Sequence, residues 1–303
     1  MYGWLPEVCD ETSQVVTASR RLARLLTAEY NARQVESGKA AWLTPVILAW
    51  PDWQSRLFAS AGHERLPARL NAHQCRVLWE QILRQVIDDP LVNIANLTRH
   101  ARDAWKRLHE WRVPFDECVA AASSRDQRLF AAASSRYRAR LVAENWIDEA
   151  LLGDAVTAAV EAGTVQAPER IWLAGFDRLT PEADALIAAL RERGTHIEQA
   201  PAGTSTNEVR VLACEDPDAE LRTAGAWARS QLDDSPECRI GIVVSGLEQD
   251  ADRAGRLVRE GFVPGWQYAP GRQREAANIS FGRRLQDYPA VEIALLLLRW
   301  THS

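Results

Sequence analysis

The chain is 303 residues long and 47% hydrophobic, enough to bury one or two cores, and about two domains is the size expectation. A net charge of −5 argues against a protein that is basic all over, and the five scattered cysteines (Cys9, Cys75, Cys118, Cys214, Cys238), with no Cys-x-x-Cys pair, point to neither a disulfide framework nor a zinc site. The opening Met1–Thr12 stretch has no apolar centre, and the longest apolar run near the end, Ile293–Leu298, is far short of a membrane span of about 20 residues. The expectation is a cytoplasmic protein with no membrane partner.

In chain order, Val15-Val16-Thr17-Ala18 reads as a short buried strand, followed by a helix that Ser19 caps and that carries Leu22, Leu25, Leu26 and Tyr30 at helical spacing. Trp42–Trp50 reads as a second buried strand, and Pro51 opens the next helix through Trp53, Leu57 and Phe58. From Leu70 to about Ala162 the pattern is almost wholly helical. Asn71 caps a helix with Val77, Leu78, Ile82 and Val86 on one face; Ala101, Trp105, Leu108 and Trp111 form a second apolar stripe; Leu129, Ala133, Tyr137 and Leu141 form a third. Strand signals return at Ile171–Ala174, followed by a helix from Pro181 to Arg193 and a strand at Thr195–Ala200. Pro201–Asn207 reads as a linker. Beyond it the expected order is strand (Val209–Cys214), helix (Asp218–Leu232), strand (Ile240–Ser245), helix (Leu247–Glu260), a loop over Gly261–Asn278 and a last helix, Asp287–Trp300. Alternating strands and helices imply parallel sheets covered on both faces.

Charge is uneven. Residues 1–150 carry 20 basic against 18 acidic side chains, residues 151–303 carry 16 against 23, and Arg99–Arg140 holds ten basic against five acidic. Such an excess either attracts phosphates or is an ordinary solvated helical surface. Only two lysines occur, Lys39 and Lys106, so any lysine chemistry rests on one of them.

Three stretches carry a resemblance. The first is the turn Thr17-Ala18-Ser19-Arg20-Arg21 between the first strand and helix; the second is Ile171–Pro181 (IWLAGFDRLTP); the third runs through Glu220, Ile240–Ser245, Tyr288-Pro289 and Ala294–Arg299. In that order they resemble the helicase part of the RecB/AddB/RecC group of DNA-repair and recombination proteins, within the UvrD-like helicase superfamily. The closest likeness is to a bacterial family of "probable DNA repair proteins" in which a degenerate helicase-like region precedes a RecB-type exonuclease. The resemblance implies an α/β fold class: a RecA-like (P-loop-helicase-like) parallel-sheet domain over residues 1–203 with a helical insertion at about 64–163, then the start of a second, truncated RecA-like domain over 204–303.

Set against active members of that superfamily, the chain has lost the motor chemistry. There is no glycine from Trp4 to Ser37, so the first turn cannot wrap a triphosphate with backbone N–H groups. Ala174 and Gly175 stand where the resemblance places the Mg²⁺-binding Asp and the catalytic Glu. The only Gly-Lys pair, in Ser37-Gly38-Lys39, lacks the rest of a phosphate loop and reads as a surface turn. Pro51-Asp52 lacks the later acid-x-lysine of a nuclease centre, and His100, Asp103 and His109 do not share one helix face as metal ligands would.

The expectation is therefore an inactivated helicase-like module: a scaffold or weak single-stranded DNA platform, without ATPase or nuclease activity, cofactor or metal. Its implied partners are single-stranded DNA and a helicase or nuclease subunit. Candidate DNA contacts are Arg20 and Arg21, at a helix N-terminus, and Trp50 and Trp53, which either stack on bases or form a packing corner. The rival expectation is a small-molecule α/β enzyme with its site at strand ends such as Gly175–Thr180 or Ser245–Glu248.

Overall fold

The computed structural model describes residues 3–5, 12–61, 67–89, 91–201, 209–247, 250–268, 278–280 and 285–301. It is an α/β protein with a four-stranded parallel sheet and, among the described residues, eleven α-helices. The chain divides into two units, Met1–Ser205 and Thr206–Ser303.

In the first unit the apolar runs form β1 (Ser13–Thr17), β2 (Val46–Ala49), β5 (Arg170–Ala174) and β6 (His196–Gln199), ordered β2-β1-β5-β6 with every pair parallel. Alternation across the pleat sends neighbouring residues to opposite faces. Val16 joins a core with Ile171 and Leu173, built under α2 (Trp50–Ser60), α7 (Leu152–Glu161) and α8 (Pro181–Glu192). Val15 joins Ile47 beneath Ala23, Leu26 and Tyr30 of α1 (Arg20–Glu36). Helices thus cover both faces, and the strands are as apolar as that burial requires. The second strand is shorter than the Trp42–Trp50 run, because Pro51 lies in the first turn of α2 and Trp50 already belongs to that helix.

Between the sheet strands lies a helical layer: α3 (Ala72–Val86), α4 (Ile94–Glu110), α5 (Phe115–Ala120) and α6 (Arg125–Ala143). Capping boxes at Asn71 and Ser124 start α3 and α6, each satisfying two otherwise orphaned N–H groups. The layer is closed at its base by a short parallel pair, β3 (Ala68–Arg69) with β4 (Trp146–Ile147). Its core is aromatic: Trp79 stacks on Tyr137 with centroids 4.3 Å apart, and Trp105 meets Tyr137 edge-on at 5.6 Å. Asp148, directly after β4, is buried among these rings. It accepts bonds from Trp105 Nε1 (2.9 Å), Tyr137 Oη (3.0 Å) and the amides of Ala150 (3.0 Å) and Leu151 (3.1 Å). The last predicted turn of the insertion behaves differently: α7 packs Leu152, Val156 and Val160 into the sheet core.

The second unit contains α9 (Pro217–Asp234), α10 (Ala251–Phe262) and α11 (Pro289–Thr301). Helices α9 and α10 cross closely through glycines. A Cβ on Gly225 would lie 2.1 Å from the Val258 carbonyl oxygen, and one on Gly261 1.9 Å from that of Arg222. The strands expected at Val209–Cys214 and Ile240–Ser245 do not form: neither run joins a ladder, and Val243 is 96% exposed. Apolar β-branched residues favour an extended backbone, but a strand needs a neighbour to take its N–H and C=O groups. Ile240, Ile242 and Val244 keep an alternating exposure pattern and line a small cavity with Ala228 of α9 and Val258 of α10. Gly261, expected to begin a loop, instead lies in the last turn of α10; residues 269–277 of that loop, and all but Pro201 of the expected Pro201–Asn207 linker, lie outside the described residues. Cys75, Cys118, Cys214 and Cys238 are free thiols. Among the described residues no helix is long and apolar enough to cross a membrane.

Candidate functional site

In a parallel sheet the chain's loops open a crevice where successive connections leave to opposite sides. Here β1 connects through α1 to β2 on one side, while β5 lies on its other side and connects outward through α8 to β6. The carboxyl ends of β1 and β5 therefore mark the place where a ligand would be expected.

That place is closed tightly by the sequence. Only Ala18 and Ser19 separate β1 from α1. The Ala18 amide donates to the Ala174 carbonyl at 3.0 Å, extending the ladder past the strand ends. Thr17 Oγ1 donates to the Ser19 carbonyl at 2.8 Å, and Ser19 Oγ accepts from the Leu22 amide at 3.2 Å. Gly175 has φ +74°, and a Cβ there would come within 2.6 Å of Leu22 Cδ2, so the first turn of α1 sits directly against the end of β5. A phosphate-binding loop needs several residues of open backbone with their N–H groups turned inward. Two residues, one of which caps the helix with its own hydroxyl, leave no room for it.

Beside this closed turn lies a crevice of about 350 Å³. Its lining brings Arg20, Arg69, Lys106 and Arg178 together with Asp52, Glu110, Glu149 and Glu182. Four cations against four carboxylates give no net field for a polyanion. Arg20 is held in a two-point ion pair by Asp52, at 2.7 and 2.8 Å, and its guanidinium keeps the Asp52 carboxyl below the usual range. Lys106 is spent 3.7 Å from Glu110, and Arg178 lies over the Trp111 ring at 5.9 Å.

Glu182 is the buried titratable group of the crevice, 7% exposed. It accepts from Gln54 Nε2 at 2.7 Å and lies against Gly153, where any Cβ would overlap the carboxyl. Burial pushes its pKa up; the Gln54 bond opposes this, and the charges of Asp154 and Glu110 add to it. Among the described residues no hydroxyl hydrogen-bonds this carboxyl. Ser55 Oγ donates to the Pro51 carbonyl and accepts from Arg69, while Thr180 caps α8. The raised pKa fixes a pH dependence. Below the ordinary carboxylate range both folded and unfolded chains hold this proton; as pH rises through it the unfolded chain releases the proton first, so stability falls until the raised folded pKa is passed. Glu182→Gln keeps an oxygen for Gln54 and carries no such proton. The variant is expected to melt close to the parent at about pH 4 and above it at about pH 8. A parent that gains stability relative to the variant as pH rises would reverse the assignment.

The four candidate DNA contacts part company. Trp53 is 1% exposed and donates from Nε1 to Gln14 Oε1 at 2.8 Å, so it is a core residue with no face to offer a base. Trp50 is half-buried, packed 5.3 Å from the Trp53 ring and edge-on to Phe176 at 5.9 Å, at the rim of the crevice. The two rings thus pack together as a corner at the carboxyl end of β2. Arg20 is neutralised by Asp52, whereas Arg21 is exposed and meets no carboxylate among the described residues. The Gly38-Lys39 pair sits in the turn that ends α1, with Gly38 at φ +78°. No group of three or more His, Cys, Asp or Glu side chains could hold a metal among the described residues. His109 leans on Trp105 at 4.4 Å as a packing residue.

Sequence reasoning missed Gln54 and Glu182; it named Lys106 only as one of two lysines and reached Arg178 only as part of the rival strand end Gly175–Thr180. Glu182 in the first turn of a helix looks like an ordinary dipole-favouring acid, and it is the Gly153 backbone and the Gln54 side chain, both distant in sequence, that lie against it. A scan against protein-family models finds none that matches the chain, and a search of curated proteins finds no significant match.

Proposed function

We propose that the chain is an inactivated helicase-like module of a DNA-repair protein, a RecA-like domain followed by the start of a second, serving as scaffold or weak single-stranded DNA platform. One observation carries the reading. A parallel sheet with a ligand-type crevice at its strand ends has, at that very point, a two-residue turn sealed by Ser19 and Leu22. Architecture without a phosphate cradle is what a lost motor leaves behind. Low net charge in the crevice fits a platform that grips DNA weakly, through the exposed edge of α1. The small-molecule alternative has one observation in its favour, the buried Glu182 in a crevice of about 350 Å³. Against it, that carboxyl faces an amide and no nucleophile.

The test is fluorescence anisotropy with a labelled oligothymidine at low and moderate salt. Binding is expected in the micromolar range at low salt, weakening as salt rises because released counterions drive it. Arg21→Glu should weaken it severalfold and Trp50→Ala less, since that ring is already half-covered. Unchanged binding in Arg21→Glu would place the DNA contacts elsewhere. No binding even at low salt leaves the scaffold role alone.

A further inference from the structure

We propose that the groove between α3 and α6 docks an acidic amphipathic helix of a partner protein. This inference does not rest on the DNA-platform reading.

The groove follows from residue size. On α6, Ala139 and Ala143 are one turn apart and exposed, and their short side chains leave open space beside α3. On α3, Val77 and Leu78 are half-exposed toward the same space, with Ile82 beneath and Trp146 closing one side. The resulting hollow has a volume of about 930 Å³ and an apolar floor. The lining residues of α3 run from His73 to Gln85, so the groove is roughly 18 Å long at 1.5 Å per residue. About three turns of a partner helix fit that length.

Charge selects the occupant. Not one of the groove's lining residues is an Asp or Glu, whereas Arg136, Arg140 and His73 all border it. Arg140 is paired with Glu144 at 3.0 Å, but Arg136 meets no carboxylate among the described residues; its guanidinium reaches only the Gln85 carbonyl, at 3.5 Å. An apolar floor lined by no carboxylate, with Arg140 and the carboxylate-free Arg136 on its rim, complements a helix with apolar residues at i, i+3, i+4 and i+7 flanked by glutamates. Single-stranded DNA fits less well. It needs open aromatic faces for stacking, and Trp146 is half-buried with the Arg140 guanidinium 5.9 Å over its ring.

The probe is a fluorescein-labelled synthetic helix of roughly five turns, leucines along one face and glutamates on both flanks. A matched peptide with lysines in place of glutamates and an oligothymidine are titrated in parallel against the full chain. The acidic peptide should bind with a micromolar Kd and at least tenfold more tightly than the lysine peptide. Arg136→Glu and Ala139→Glu should each weaken it by tenfold or more. Both positions are solvent-exposed and glutamate is a good helix former, so both variants should keep the parent's melting curve. Equal binding of the two peptides, no binding of either, or acidic-peptide binding that both variants leave unchanged would each overturn the proposal. So would oligothymidine that displaces the peptide and itself loses affinity in Arg136→Glu, which would assign the groove to nucleic acid.

Discussion

Asp148→Ala should lower the stability of the first unit by roughly 4 kcal/mol or more, because it removes the acceptor for four donors at once, each unmet buried donor costing about 1–3 kcal/mol. The donors are the Trp105 indole, the Tyr137 hydroxyl and the amides of Ala150 and Leu151, and they come from three separate parts of the chain. Asp148 therefore joins α4, α6 and the segment after β4 at the centre of the aromatic core. Burial pushes its carboxyl up, and the hydrogen bonds from Tyr137, Leu151 and Trp105 oppose that rise. For a unit of this size the loss corresponds to a drop in Tm of about 10 °C. Tyr137→Phe removes a single donor and should cost only about 1 kcal/mol. Thermal melts of the two variants beside the parent decide the matter. Equal small losses would mean that the stacked rings hold the layer without the carboxylate.

Much of the first unit is legible in the sequence. Val15-Val16 and Ile171–Ala174 are apolar runs of strand length, and Ser19 and Asn71 mark helix starts where capping side chains are found, while the caps at Ser124 and Thr180 emerge only from the structure. The second unit shows where that kind of reading stops. Val209–Cys214 and Ile240–Ser245 have the composition of strands, yet pairing is a long-range event that composition does not encode, and neither run finds a partner. Helix α11 is similarly apolar but buries none of its residues.

The candidate site was legible only in part. The missing glycines and the Ala174-Gly175 pair are read directly from the sequence, and the two-residue turn of Ala18 and Ser19 is the structural counterpart of the first of them. Trp50 and Trp53 look alike in sequence, but Trp53 packs in the sheet core with its indole N–H met by Gln14, 39 positions away, and neither partner is visible locally. The crevice charges likewise converge from α1, α2, β3, α4, the segment after β4, the loop before α8 and α8 itself. No local pattern predicts that convergence, or that it sums to zero.

Whether the strand-end crevice takes a nucleoside triphosphate is decided by titrating Mg²⁺-ATP calorimetrically into the chain, with phosphate release followed in the presence of oligothymidine. The Ala18 amide is already bonded to the Ala174 carbonyl, Leu22 lies against Gly175 at the end of β5, and the four cations of the crevice face four carboxylates. The expected result is no saturable heat up to millimolar ATP and no phosphate release above buffer, with or without DNA. A one-to-one isotherm in the micromolar range, or DNA-stimulated hydrolysis, either one abolished by Arg20→Ala, Lys39→Ala or Lys106→Ala, would contradict the account.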